Sequence, residues 1–429
     1  MTLVHGGGRV LALGQSSLAL WVMFALVHAW LGALNLVGPG QPFGDVEIVY
    51  PFWVGVGVDN SQWVGIDTSW VYPYVALVPM IAAYAAGPQW DGVVWLMMMT
   101  ALNAAAFLSI IGVQARVPAR RAATAAGWML FLLLLGPIAL GRIDAVTVAL
   151  GVIAATLVLD HPRWVGALLA IGAWVKVWPA ALLLAALVAV RARRQVLAAT
   201  VVTSLVVIGV GLALGARGEL LSAVTEQSAR GLQIESPVAT AWLWAAVAGE
   251  GSARVIYDSV LLTFQVIGAG SDLAAQLATP ILALAVLGVL ALGVLAVRSG
   301  APEAHLLPAL SLALVMTLVL INKVGSPQLA SWVAVPVILG LLLRQRGGGS
   351  FAIPAVLGLA IAGFTQIVYP VFYDRLLGLD PALILALTVR NLLYAALWGW
   401  AIVKLAALAR WSRSGAAYDA GIASEGASS

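Results

Sequence analysis

Two carboxylates two positions apart, Asp45 and Glu47 in GDVEIVYPFW, run straight into the aromatics Tyr50, Phe52 and Trp53. An acid beside an interfacial aromatic belt is placed to take a proton from a hydroxyl at a membrane edge, and a solvated loop acid next to a membrane anchor has the same sequence. A third acid, Asp144 in GRIDAVTVAL, opens an apolar run, where it equally suits the first turn of a helix. The cations are spaced differently. Lys176 lies inside AIGAWVKVWPAALLL, where an ammonium facing lipid is costly, so it must face protein, water or an anion unless it snorkels to the headgroups. Lys323 and Gln328 in INKVGSPQLASW fit a phosphate and a sugar, or a plain turn between spans. Arg230, Gln233 and Glu235 in ARGLQIESP form a comparable cluster, or a solvated loop. Arg142, Arg375 and Arg390 are further cations, some of which must serve orientation or packing only.

Several other chemistries lack their residues. The chain has no cysteine, so disulfides, thiolate metal sites and cysteine nucleophiles are excluded. His5, His28, His161 and His305 are scattered without ligand spacing. No phosphate-cradling GxxxxGK[ST] loop, dinucleotide turn, serine elbow or HExxH is present. What remains is a set of acids, cations and aromatics able to deprotonate a hydroxyl while holding a lipid phosphate.

The elements that must carry these residues are transmembrane helices. Of 429 residues, 62% are hydrophobic and 9% charged, and the mean hydropathy is +1.02. Repeated apolar runs approach the length that crosses about 30 Å of hydrocarbon. An all-α polytopic membrane protein follows, with spans expected at 17–37, 91–113, 122–141, 144–160, 163–176, 179–191, 195–214, 275–297, 305–321, 329–343, 351–369 and 382–409. The first is longer than a secretory apolar region and lacks a small-residue cleavage site, which reads as a retained span. The pair 163–176 and 179–191 is short and meets at Lys176, Trp178 and Pro179, the pattern of backbone lining a cavity. Residues 72–87 carry Pro73 and Pro79 and are expected at the outer surface. No internal repeat is found.

Twelve spans with both termini inside gather fourteen cations on the inner face: Arg9, Arg116, Arg120, Arg121, Arg163, Arg191, Arg193, Arg194, Arg298, Arg344, Arg346, Lys404, Arg410 and Arg413. Only Asp160, Glu303, Asp419 and Glu425 join them, so the remaining acids crowd outside. A pI near 9.5 therefore reflects membrane orientation, and no nucleic-acid partner is expected. The organisation read from this is one transmembrane domain over 1–411, with apolar outer segments 38–90 and 215–274 packed as lids or re-entrant helices. The Ser-, Gly- and Ala-rich tail 412–429 is expected to be a disordered cytoplasmic extension.

Seven segments in one order, GDVEIVYPFW, WVYPYVAL, GRIDAVTVAL, GAWVKVWPAALLL, ARGLQIESP, NKVGSPQLASW and QIVYPVFYDRLL, resemble the membrane glycosyltransferases of the C-type superfamily, and within them glycosyltransferase family eighty-seven. Arg142 stands where that family more often has Gln. The resemblance implies the C-type fold and a polyprenyl-phosphate sugar donor, most often the mannosyl compound, with an arabinofuranosyl donor as the other option. It implies a glycolipid or glycan acceptor and transfer on the outer face of the cytoplasmic membrane, in contact with membrane lipids. It also makes the acid of the first outer loop, Asp45, the catalytic base, and demands no cofactor or metal. On this reading Lys323, with Arg230 or Lys176, holds the departing phosphate, and Asp144, Glu47, Gln328 and Glu235 face acceptor or sugar. The competing classes are a transporter or flippase, which needs polar groups near the midplane and access from both sides, and a noncatalytic scaffold, in which the polar clusters have no reason to converge.

Overall fold

The structure, a computed structural model, describes residues 14–228, 230–259 and 262–411. The helices are α1 (Ser17–Val37), α2 (Tyr50–Asn60), α3 (Leu77–Tyr84), α4 (Asp91–Ile111), α5 (Ala119–Leu135), α6 (Asp144–Leu157), α7 (Pro162–Val175), α8 (Pro179–Ala189), α9 (Arg193–Ala213), α10 (Ser222–Ser228) and α11 (Thr240–Val247). A hairpin of β1 (Arg254–Asp258) and β2 (Thr263–Ile267) follows. The chain continues with α12 (Ser271–Arg298), α13 (Glu303–Leu320), α14 (Ala334–Leu343), α15 (Ala352–Gln366), α16 (Tyr373–Leu377) and α17 (Pro381–Ala409).

Among the described residues nine helices are long and apolar enough to cross a membrane: α1, α4, α5 with the turn to Ala139, α9, α12, α13, the Pro327–Arg346 run around α14, α15 with the turn to Val371, and α17. The chain is thus a multi-pass α-helical membrane protein. The expected spans at 144–160, 163–176 and 179–191 are shorter pieces: α6 and α7 have 14 residues each and α8 has 11. At a rise of about 1.5 Å per residue none reaches the roughly 30 Å of the hydrocarbon layer. The interruption has a local cause. Lys176 leaves α7 in extended backbone (φ −154°, ψ 135°), and Pro179 opens α8 at a position where its missing N–H costs nothing.

The bundle has two distinct ends, fixed by contacts between distant segments. At one, Ser17 N donates to Ala115 O, Arg191 N to Glu303 Oε1, Ser299 Oγ to Ala409 O, and Arg346 pairs with Asp160. The described cations expected inside cluster at this basic end, whereas Arg9, Arg413 and the tail 412–429 lie outside the described residues. At the other end, Asn35 Nδ2 donates to Pro137 O, Lys176 reaches Asp144, and Gln233 N donates to Lys323 O. Between the ends α13 is buried all round, as a helix with no polar face must be, while α9 and α12 expose most of their length. Because lipid is as apolar as leucine, close approach holds such helices together. A methyl on Gly166 of α7, for example, would lie 2.3 Å from Val196 O of α9.

The segment 38–90 carries α2 and α3, and residues 72–87 form only a short helix preceded by a 3-10 turn at Tyr74–Ala76. In 215–274, where lids or re-entrant helices are expected, the short helices α10 and α11 lead into an antiparallel hairpin, and the hairpin is a correction to that reading. Strand β2 gains a third neighbour through Val266 N to Leu232 O and Ile234 N to Phe264 O, with Gln265 and Val266 both buried. That addition fixes the path of the Arg230–Glu235 segment.

Candidate active site

Helix α6 starts in a tight turn, GRID, and its first turn presents two acceptors one turn apart on the same face. Asp144 Oδ2 accepts from Lys176 Nζ at 2.6 Å, Asp144 Oδ1 accepts from Trp332 Nε1 at 2.6 Å, and Thr147 Oγ1 accepts from Trp178 Nε1 at 2.9 Å. The two indoles so held stack at 5.2 Å with planes 9° apart. Lys176 sits over the faces of Tyr72 at 5.3 Å and Trp332 at 5.9 Å. An ammonium at the C-terminus of α7, beside a buried carboxylate and two π faces, is thereby compensated in a place where water is scarce. Asp144 is 1% exposed. Its carboxylate positions Lys176 and Trp332 and is not open to an acceptor.

These side chains form one wall of a cavity of about 310 Å³. Tyr72, Trp178 and Trp332 give it flat aromatic surfaces, Lys176, Arg230 and Lys323 give it three cations, and Asn322, Ser326 and Gln328 give it neutral donors and acceptors. Val224, Leu282, Leu318 and Leu329 make the rest apolar. Arg230 and Lys323 come from segments 93 positions apart that are zipped together. Gly325 N donates to Gln233 Oε1 at 3.1 Å, Ser236 Oγ donates to Asn322 O at 2.6 Å, and Gly325 has no room for a side chain against Ser236. Burial pulls both the Arg230 guanidinium and the Lys323 ammonium below their ordinary values, and Arg230 Nε is buried without a hydrogen-bond partner among the described residues. Burial pushes the Tyr72 phenol up, against the pull of Lys176. Cations held at a desolvation cost, with an unused donor, suit an anion.

Asp45 is not part of the cavity lining but stands within electrostatic reach of Tyr72 and Lys176. It opens a π-helical turn (Asp45–Val49) that docks on the GRID turn, where Tyr50 Oη accepts from Ile143 N. Arg142 Nε contacts Asp45 Oδ2 at 3.0 Å, and the same guanidinium donates to Pro42 O, Gly141 O and Tyr369 Oη. Burial works against the charge on Arg142, yet Asp45 and its neighbours raise its hold on the proton. The Asp45 side chain remains one-third exposed (33%), with Oδ1 unclaimed among the described residues.

The other sequence candidates divide. Gln328 lines the cavity. Glu235 does not: it is 2% exposed and bound by Arg390, from Nη1 to Oε2 at 2.6 Å and from Nη2 to its own carbonyl at 2.6 Å. Glu47 is exposed beside Asp91 at the start of α4, where burial first and Asp91 second push its carboxyl up, and it too is away from the cavity. Among the described residues no three His, Asp or Glu side chains gather as metal ligands, and Asp45 and Asp144 each face a cation. Tyr72, Trp332, Thr147 and Tyr369 take part in the site without having been singled out in the sequence, and Trp178, placed there only at a helix break, joins them as a wall. Their signal was membership of the seven ordered segments, all of which meet at this end of the bundle. No family model matches the chain, and no curated protein or solved structure matches it.

Proposed function

We propose that the chain is an inverting membrane glycosyltransferase that moves a sugar, mannose in the first instance, from a polyprenyl phosphate to a lipid or glycan acceptor on the outer face of the cytoplasmic membrane. The observation that carries the reading is the composition of one cavity: three cations, stacked aromatic faces and apolar walls beside thinly covered α12. The cations match a phosphate, the indole and phenol faces match a pyranose ring, and the apolar side matches a prenyl chain. Asp45, with Oδ1 unclaimed, accepts the proton of the acceptor hydroxyl. That oxygen bonds to the anomeric carbon as the bond from carbon to phosphate oxygen breaks. The phosphate leaves with the bonding pair, and Arg230, Lys323 and Lys176 take up its charge. Phosphate needs no general acid, consistent with a site richer in cations than in free carboxyls.

A transporter is the second reading, favoured by the interrupted helices α7 and α8 meeting at a charged residue. Against it, the cavity and all seven segments lie at one end of the bundle. One experiment separates the two. Protein in sealed vesicles, given polyprenyl-phosphate-mannose and a lipid extract, should consume the donor and yield a glycosylated lipid whose anomeric configuration, read by NMR, is opposite to that of the donor. Movement of intact donor across the bilayer with no new glycosidic bond would support the transporter and end the enzymatic reading.

A further inference from the structure

A second cavity, of about 220 Å³, lies at the basic end, where α5 begins and α6 and α14 finish. Asp144 opens α6 and Asp160 lies in the turn just past its other end, so the length of this 14-residue helix, about 21 Å, separates the two cavities. Its floor is apolar, made by Ala155, Val158, Leu159, Leu342 and Leu343, and its rim is polar, with Arg121, Thr156, Asp160, Gln345 and Arg346. Arg346 reaches Asp160 with two nitrogens, Nη1 to Oδ1 at 2.9 Å and Nη2 to Oδ2 at 2.5 Å. Both partners are about half exposed (48% and 47%), so the pair is a surface one of small intrinsic worth. A guanidinium has five N–H donors, so Arg346 can keep Asp160 and still bind a second acceptor. Arg121 is half-buried on the same rim and adds a further cation.

We propose that this cavity binds the phosphate of an anionic phospholipid from the leaflet that meets the basic end. Arg121 and Arg346 take the phosphate oxygens, the Gln345 amide offers a neutral N–H, and the first methylenes of the acyl chains cover the apolar floor. A soluble phosphate shares the charge chemistry but leaves that floor uncovered. By the bias of basic residues this end faces the cytoplasm, whose leaflet is negatively charged and draws basic groups to it. The inference is independent of the transferase reading.

The test is native mass spectrometry of the purified full chain in neutral detergent, titrated with palmitoyl-oleoyl phosphatidylglycerol or phosphatidylcholine. Phosphatidylglycerol should be retained in preference, and Arg121→Gln, which breaks no ion pair, should weaken retention about fivefold, as loss of one cation near an anionic lipid implies. Arg194→Gln, at the same end but outside the cavity, should leave retention unchanged. Equal retention of the two lipids overturns the proposal, as does an unaffected Arg121→Gln variant or an equal loss in Arg194→Gln. Displacement of the lipid by inorganic phosphate would assign the cavity to a soluble anion and also overturn it.

Discussion

Glu235 and Arg390 are each at most 2% exposed, and Arg390 donates to both the carboxylate and the carbonyl of Glu235 across 155 positions, so losing the carboxylate leaves a buried guanidinium with only neutral acceptors such as Asn391 Oδ1. Glu235→Ala should therefore cost about 3–5 kcal/mol of stability, while the paired change Glu235→Leu with Arg390→Met should be far milder. Thermal unfolding in detergent measures both, and a variant that keeps its stability but loses sugar affinity would return Glu235 to the site. Asp144 has the same logic with a different output. Asp144→Asn removes the partner of Lys176 and weakens the anchor of Trp332, so donor KM should rise along with a stability loss of about 3 kcal/mol. Of these charges the sequence marked only Lys176 as costly where it stands, and it did not show which opposite charge relieves it. The partner of Glu235 is 155 positions away and that of Asp144 is 32 away, and a single chain shows composition at such distances without contact.

The elements that matter most to the site are two outer segments clamped face to face. A methyl on Gly325 would lie 2.0 Å from Ser236 N and 2.3 Å from its Cα, and backbone on both sides cannot yield as a side chain does. Gly325→Ala should push the segments apart, cost about 1–3 kcal/mol and separate Arg230 from Lys323, so transferase activity falls sharply. Gly209→Ala, in lipid-exposed α9 with nothing within 4 Å of the added carbon, is the control and should leave melting temperature and activity unchanged. Helices were the readable part of the fold: α1 covers the expected 17–37, and the break at Lys176 and Pro179 follows from local chemistry. The hairpin at 254–267 was not legible, because RVIYD and TFQVI are five-residue strands without clean alternation and share their composition with an interfacial helix. The aromatic wall escaped notice in Tyr72 and Trp332, and in Trp178 beyond its place at the helix break, because aromatics near a membrane surface are ordinary until their partners are known.

At the scale of the whole molecule, one end of the bundle collects the candidate chemistry and the other collects the surplus of cations. The absence of cysteine makes that polarity easy to check. Single cysteines at Glu47, exposed at the site end, and at Ser350, exposed at the basic end, should react with an impermeant maleimide in intact cells and only after permeabilisation, respectively. The reverse pattern would place the cavity on the cytoplasmic side and remove the proposed donor and acceptor. The most direct measurement is product formation by purified wild-type and Asp45→Asn protein supplied with polyprenyl-phosphate-mannose and lipid acceptor, with donor binding followed in parallel. The account predicts donor binding retained and product lost in the variant, because the cations that hold phosphate are intact and the proton acceptor is gone. Full product from Asp45→Asn would contradict it.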